Sequence, residues 1–242
     1  MYHIPIPDTV STALAEFKTI SKYFEQPGTA IRNHVLDSIN FQICGNDSIA
    51  IVGPSGSGKS TLLNIIGTLE KASSGIVFLN GTATDTLNEK ELASLRNRFI
   101  GHVFQQHYLI PQLNLLENVL LPTLPGKNRS NHKETIDRAL YLIERVGLKE
   151  HSQKRPYQLS VGECQRTAVV RALINKPRLL LADEPTGSLD AENAGIVGKL
   201  LVELSREHQM ALLIVTHSLE LAKQTNQFYR LSSGKLSLMQ TL

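Results

Sequence analysis

The stretch AIVGPSGSGKST, residues 50–61, places three glycines and two serines between an apolar run and a lysine. Upstream, SIAIV (48–52) is almost continuously apolar, as a strand covered on both sheet faces should be. Downstream, the pattern predicts a helix over 58–68. The loop Gly53, Pro54, Ser55, Gly56, Ser57, Gly58 therefore sits between a strand end and a helix start, followed by Lys59, Ser60 and Thr61. Glycines leave no Cβ between backbone N–H groups and an anion, and the helix dipole adds to the attraction. Lys59 brings a flexible cation, and Ser60 a hydroxyl able to ligate Mg²⁺. The spacing Gly53-x-x-x-x-Gly58-Lys59-Ser60 is that of a phosphate-binding P-loop, so the chain binds a nucleotide.

Other segments extend the pattern outward. RLLLAD (178–183) and ALLIVT (211–216) are further buried-strand runs, while LAEFKTIS (14–21) and VLDSINFQI (35–43) alternate as strands at a sheet face do. GIVFLNG (75–81) reads as a strand, and FYRLSSGKLSLM (228–239) as a hairpin turning at Ser233-Gly234. Helices are predicted over 89–97, 115–121, 131–146, 161–175, 190–207 and 218–225, with Ile136, Leu140 and Ile143 on one stripe of the 131–146 helix. PTLPGKNRSN (122–131) reads as a loop. Buried strands separated by helices give an α/β fold with a mainly parallel sheet; 106–175 lacks strong strand signals and reads as a mostly helical insert.

RLLLAD ends in Asp183, and Glu184 follows one residue on. Beside a P-loop strand, Asp183 is placed to hold Mg²⁺ and Glu184 to polarise an attacking water. Phosphoryl transfer asks for positioning and charge rather than covalent chemistry, which suits two carboxylates with separate tasks. His217 follows ALLIVT and Gln105 follows HVF. Alone, a strand-end histidine reads as structural and a glutamine as surface. Beside a nucleotide, His217 can contact the γ-phosphate or orient the base, and Gln105 can reach Mg²⁺ or water.

Composition bounds the rest. The 242 residues, 41% hydrophobic, suit one large domain spanning 1–242. A net charge of +3 argues against a nucleic-acid binder, which needs a concentrated basic face. Residues 89–155 carry eleven basic against seven acidic side chains, a surface that an acidic partner or a membrane could meet. Two scattered cysteines, Cys44 and Cys164, make neither a disulfide framework nor a metal cluster and fit a reducing cytosol. The N-terminus shows no secretory signal, and ALLIV (211–215) is far too short to span a bilayer, so any action on a membrane goes through another chain.

A second candidate cradle lies at YQLSVGECQRTAVVRAL (157–173), where Ser160 and Gly162 precede a helical pattern. With this stretch the chain resembles the ATP-binding-cassette ATPases. The resemblance rests on GPSGSGKST (53–61), VFQQ (103–106), LSVGECQR (159–166), LLLADEPTGSLD (179–190) and IVTH (214–217), in that order. It implies a P-loop core sheet with an antiparallel β subdomain and a helical subdomain. It also implies two cassettes facing head to tail, each ATP lying between the P-loop of one and the signature helix of the other. Ser160, Val161, Gly162 and Glu163 then receive the partner's nucleotide. Gln105 becomes the Q-loop residue, Asp183 the Mg²⁺ aspartate, Glu184 the catalytic base, His217 the switch histidine and Asp190 the D-loop residue at the dimer interface. By similarity an aromatic in SKYFEQ stacks on adenine, and Phe24 is favoured over Tyr23.

Val161 departs from the family's usual LSGG wording. A β-branched residue tolerates positive φ poorly, so slowed or altered closure on ATP is the expectation. Cys164 is expected to be neutral. The stretch LRNRFIGHVFQQHYLIPQLNLLENVLLPTL (95–124) is similar to the subfamily serving lipoprotein release, macrolide export and the cell-division complex. That likeness implies a homodimer docked on integral-membrane permease subunits at the cytoplasmic face of the inner membrane. Rival readings are a non-transport cassette of translation or DNA repair, a regulatory cassette with weak hydrolysis, and a P-loop kinase. The last leaves LSVGECQR without a task.

Overall fold

The computed structural model describes residues 13–25, 32–125 and 132–239. Its centre is strand β3 (Ser48–Val52), buried along its whole length. On one side it pairs in parallel with β8 (Ala211–Thr216), which pairs with β7 (Leu179–Asp183), which pairs with β6 (Ile100–Val103). On the other side lies β9 (Gln227–Ser232), also parallel, followed by antiparallel β10 (Lys235–Met239). The six-stranded order is thus β10-β9-β3-β8-β7-β6.

Strand alternation divides the core in two. Ile49 and Ile51 of β3, Leu179 and Leu181 of β7, and Leu213 and Val215 of β8 face one cluster. That cluster also holds helix α1 (Lys59–Ile66) and a second, antiparallel sheet. Its order is β2-β1-β4-β5, with β1 (Ala15–Glu25), β2 (Arg32–Ile43), β4 (Ser74–Leu79) and β5 (Thr82–Ala83). Leu180, Ala182, Leu212 and Ile214 face the opposite cluster. This one is built by α3 (Leu115–Leu120), α4 (His132–Arg145), α5 (Val161–Leu173) and α6 (Ala191–Glu207). Helix α2 (Glu89–Phe99) leads directly into β6, and the short α7 (Leu219–Ala222) follows β8.

Strand β6 is not among the strands expected from the sequence. Its four residues IGHV interrupt an apolar pattern with Gly101 and His102, and no turn residue separates it from α2. Gly101 is there for close packing: a Cβ would stand 2.5 Å from the Ala172 carbonyl of α5. The stripe expected on α4 is also turned. Ala139, Leu142 and Ile143 are buried, whereas Leu140 faces out. Of the expected loop at 122–131, residues 126–131 lie outside the described residues, and Leu121–Thr123 form a short 3₁₀ turn. Among the described residues no helix is long and apolar enough to cross a membrane.

Candidate functional site

The carboxyl ends of the parallel strands gather one group of side chains, as open α/β sheets do. Past Val52 the chain cannot carry a side chain at Gly53, where a Cβ would sit 2.3 Å from the Leu231 carbonyl. Gly58, with φ 97°, opens α1 from the left-handed region that a β-carbon disfavours. Lys59 begins the helix. Its buried ammonium donates to the carbonyls of Gly53 (2.9 Å) and Pro54 (3.1 Å) and lies 3.7 Å from Glu184 Oε1. Ser57 Oγ is buried within the loop with no hydrogen-bond partner, a polar group suited to an anion's oxygens.

Asp183 ends β7. Ser60 Oγ donates to its Oδ1 at 3.0 Å. Burial pushes the Asp183 carboxyl above the usual carboxylate range, as does Glu184 beside it; the Ser60 bond and the Lys59 charge pull the other way. Ser60 and Asp183 thus present two hard oxygens side by side, the donor type that Mg²⁺ takes.

Glu184 departs from ordinary backbone geometry, with φ 43°, and its N–H donates to the Val215 carbonyl at 2.9 Å. A positive φ at a non-glycine residue is uncommon and costs about 1 kcal/mol or more. Here the turn aims the carboxylate back across the end of β8. Oε2 accepts from the Thr216 hydroxyl (3.1 Å) and the His217 N–H (3.2 Å), with His217 Nδ1 2.9 Å away. Thr216 is fully buried and His217 exposed, so the carboxylate is gripped from inside by one residue and bordered on the outside by the next.

A cavity of about 760 Å³ opens over this arrangement. Ser55, Gly56, Gly58, Lys59, Ser60 and Thr61 line one side, Gln105, Glu184 and His217 the other, and Val35 of β2 the rim. Phe24 is not part of that lining. It lies at the end of β1, 45% exposed, with Lys22 Nζ 4.9 Å from its ring centre. Tyr23 is the engaged neighbour, its ring 4.5 Å from the Arg32 guanidinium.

The second cradle stands outside the cavity. Ser160 caps α5, its Oγ accepting from the Glu163 N–H at 3.2 Å while its own N–H donates to Glu163 Oε2 at 2.7 Å. Burial opposes ionisation of Glu163, but the Ser160 bonds and the nearby His151 and Arg166 outweigh it, leaving the carboxyl below its ordinary range. Val161 is the first residue of α5, 55% exposed, and is absent from the positive-φ residues. The backbone strain expected there from the sequence is therefore not found, because the helix N-terminus needs only helical φ. Gly162 is buried against α6: a Cβ would meet Asn193 Oδ1 at 2.3 Å. Asn193 in turn bonds Asp190, the cap of α6, through both its N–H and its Nδ2, each at 2.8 Å. Cys164 is buried, its Sγ 3.6 Å from the Pro156 carbonyl and its thiol pushed up to about 11 by burial and Glu163.

Sequence reasoning missed Thr216, Val35 and Asn193. Asn193 had a signal, since its backbone N–H stands three residues beyond an Asp in capping position. Val35 had none, because its contact depends on how the antiparallel sheet folds over the loop.

A parallel sheet with a P-loop, an aspartate–glutamate pair and a histidine at adjoining strand ends defines a P-loop nucleotide hydrolase. The outlying capped helix narrows this to the cassette class. The chain belongs to the ABC transporter family, whose profile matches residues 36–187. It is an ATP-binding, ATP-hydrolysing subunit of that family. Among its relatives is the lipoprotein-releasing system ATP-binding protein LolD of Hydrogenovibrio crunogenus, 44% identical and covering 86% of this chain and 90% of that one. LolD of Shewanella denitrificans is 43% identical over 96% and 97%. Among solved structures, the ATP-binding cassette MJ0796, in a dimeric post-hydrolysis state bound to ADP and Pi, has a TM-score of 0.84. It is 34% identical and covers 94% of this chain and 100% of that one.

Proposed function

We propose that two copies of this chain assemble head to tail and drive an integral-membrane permease at the cytoplasmic face of the inner membrane, in a machine of the lipoprotein-releasing type. The names of the relatives support that assignment, and the dimeric MJ0796 cassette supports the pairing. One observation carries the reading. The P-loop, Gln105, Glu184 and His217 share one cavity, while the N-terminus of α5 with Ser160, Val161, Gly162 and Glu163 stands outside it. A single copy thus owns two half-sites, and a partner completes each.

In this scheme Lys59 and the N–H groups of 53–61, all but Pro54, bind the nucleotide's phosphates and Phe24 stacks on adenine. Ser60, Asp183 and Gln105 would hold Mg²⁺, which when bound offsets the charge between the β- and γ-phosphates. Glu184 takes a proton from the attacking water. His217 and Thr216 hold that carboxylate by one oxygen, leaving the other toward Lys59 and the cavity. Asp190 meets the partner across the interface. Residues 106–175 act as the helical arm within one cassette spanning 1–242.

Glu184→Gln tests the scheme. An amide oxygen can keep the bonds from Thr216 and His217, so ATP affinity should change by less than about threefold, while loss of the base lowers kcat by about 10²-fold or more. The same variant should run as a dimer on gel filtration with ATP. A persistent monomer, or hydrolysis at the native rate, would overturn the proposal.

A further inference from the structure

The segment carrying Gln105 is held by helix α5. Gln165, 1% exposed, donates its side-chain Nε2 to the Phe104 carbonyl at 2.9 Å. Two turns along the same helix, Arg171 forks onto the carbonyls of His107 (2.6 Å) and Tyr108 (2.7 Å). The Gln105 carbonyl accepts from Ser188 Oγ at 3.3 Å. Four of the five carbonyls from Phe104 to Tyr108 therefore accept from side chains, three of them from α5.

Two further contacts stiffen the junction. The Phe104 ring stacks on His102 (centroids 5.5 Å apart, planes within 6°) and meets the Tyr108 ring edge-on. Just upstream, Gly101 brings β6 against the Ala172 carbonyl of α5. Side chains gripping both flanks of a residue fix its path more firmly than one contact could, because each removes a separate backbone freedom.

We infer that Gln165 and Arg171 are positioning residues that make Gln105 travel with α5. This rests on the roles given above to Gln105 and to the α5 N-terminus. When that N-terminus docks on a partner's nucleotide, the shift of the helix reaches Gln105 through the Phe104 carbonyl on one side and those of His107 and Tyr108 on the other. A pull on the loop beyond Tyr108 runs the same route backwards.

The test uses the full chain and four variants: Gln165→Met keeps the buried volume without the donor, Arg171→Lys keeps the charge without the fork, Gln105→Ala removes the group being positioned, and Gln165→Met/Gln105→Ala combines two. Loss of a buried hydrogen bond or of the fork should lower kcat about tenfold, leaving KM for ATP within about twofold. In the Gln105→Ala background, Gln165→Met should cost nothing further, because its effect runs through Gln105. A merely structural role for Gln165 would instead lower the active fraction in both backgrounds alike. If Gln165→Met misfolds, Arg171→Lys with Arg171→Lys/Gln105→Ala gives the same cycle. Native kcat in Gln165→Met or Arg171→Lys, or losses that multiply in the doubles, would overturn the inference alone. Native kcat in Gln105→Ala would overturn the role of Gln105 and this inference with it.

Discussion

Gly162→Ala tests how the second cradle is built. Gly162 is the second residue of α5 and has no positive φ, so its backbone accepts alanine; the difficulty is space. The added carbon would stand 2.3 Å from Asn193 Oδ1 and 2.7 Å from its Cγ. The Asn193 carboxamide is tied to Asp190 Oδ2 at 2.8 Å, so it must break that bond to swing clear. Overpacking of this kind costs about 1–3 kcal/mol, and the helix preference of alanine over glycine returns at most about 1 kcal/mol. A net loss near 1–2 kcal/mol lowers Tm by roughly 3–6 °C in a chain of this size. Under the proposed pairing, steady-state ATPase should fall much further than that loss of stability explains, because the Ser160–Gly162 edge is displaced from the face it would offer a partner. Calorimetry and ATPase assays on Gly162→Ala, Asn193→Ala and the double variant form the cycle. Removing the Asn193 side chain clears the space, so the double variant should recover Tm and part of the rate relative to Gly162→Ala. A double variant no better than Gly162→Ala alone would refute the packing argument.

Other outcomes follow from single contacts. Burial and the charge of Arg96 push His102 down to about 4 from 6.5, so the folded protein keeps it neutral where the unfolded chain protonates it. The stability it confers is complete above pH 6.5 and is lost as pH falls toward 4, a swing on the order of 3 kcal/mol that denaturant titrations should show in the native protein and not in His102→Phe. Asn118, fully buried, accepts from the Ile110 N–H at 2.7 Å and donates to the carbonyls of Ile110, Leu113 and Asn114. Asn118→Leu should cost about 2 kcal/mol, read as a Tm drop of roughly 4–8 °C, because the Ile110 N–H and the Leu113 carbonyl lose the side chain that bonds them, while the Ile110 and Asn114 carbonyls keep backbone donors. Val161→Gly should change the ATPase rate less than about threefold, since the exposed first turn of α5 needs no positive φ and glycine near a helix start costs only tenths of a kcal/mol.

The parts of the site legible in the sequence are those whose chemistry depends on neighbours along the chain. A phosphate loop needs its glycines, lysine and serine contiguous, and a strand presenting Asp183 and Glu184 must end on those two residues, so both could be read directly. The buried runs of β3, β7 and β8 were equally plain, because a strand covered on both faces leaves no room for polar residues. Strand β6 was not, since Gly101 and His102 answer to α5 and α1 rather than to the strand: a Cβ at Gly101 would meet Ala172, and one at Gly67, just past α1, would meet the His102 ring. The Gly162–Asn193 contact spans separate helices, and no local rule pairs them. The same limit explains the misreading of Val161. A glycine-rich family wording suggests positive φ, whereas the structure uses glycine at 162 for space and leaves 161 in an ordinary helical turn.

Helix α5 has its two ends committed to different neighbours. Its N-terminus is packed on α6 through Asn193, which also fixes Asp190, so Ser160–Glu163 and Asp190 share one anchor. Its middle and far end hold the segment carrying Gln105. Gln105 lines the cavity that also contains Lys59 and Glu184. Under the proposed pairing, a displacement begun at either end has a short path to the other copy's catalytic groups and to its own, and each link within one copy is a packing contact or a direct hydrogen bond. Under the proposed pairing, one ATP at the interface biases both copies at once. Hydrolysis in one site is then sensed in the other without any change in the bonds that Glu184 Oε2 accepts from Thr216 and His217 at the end of β8.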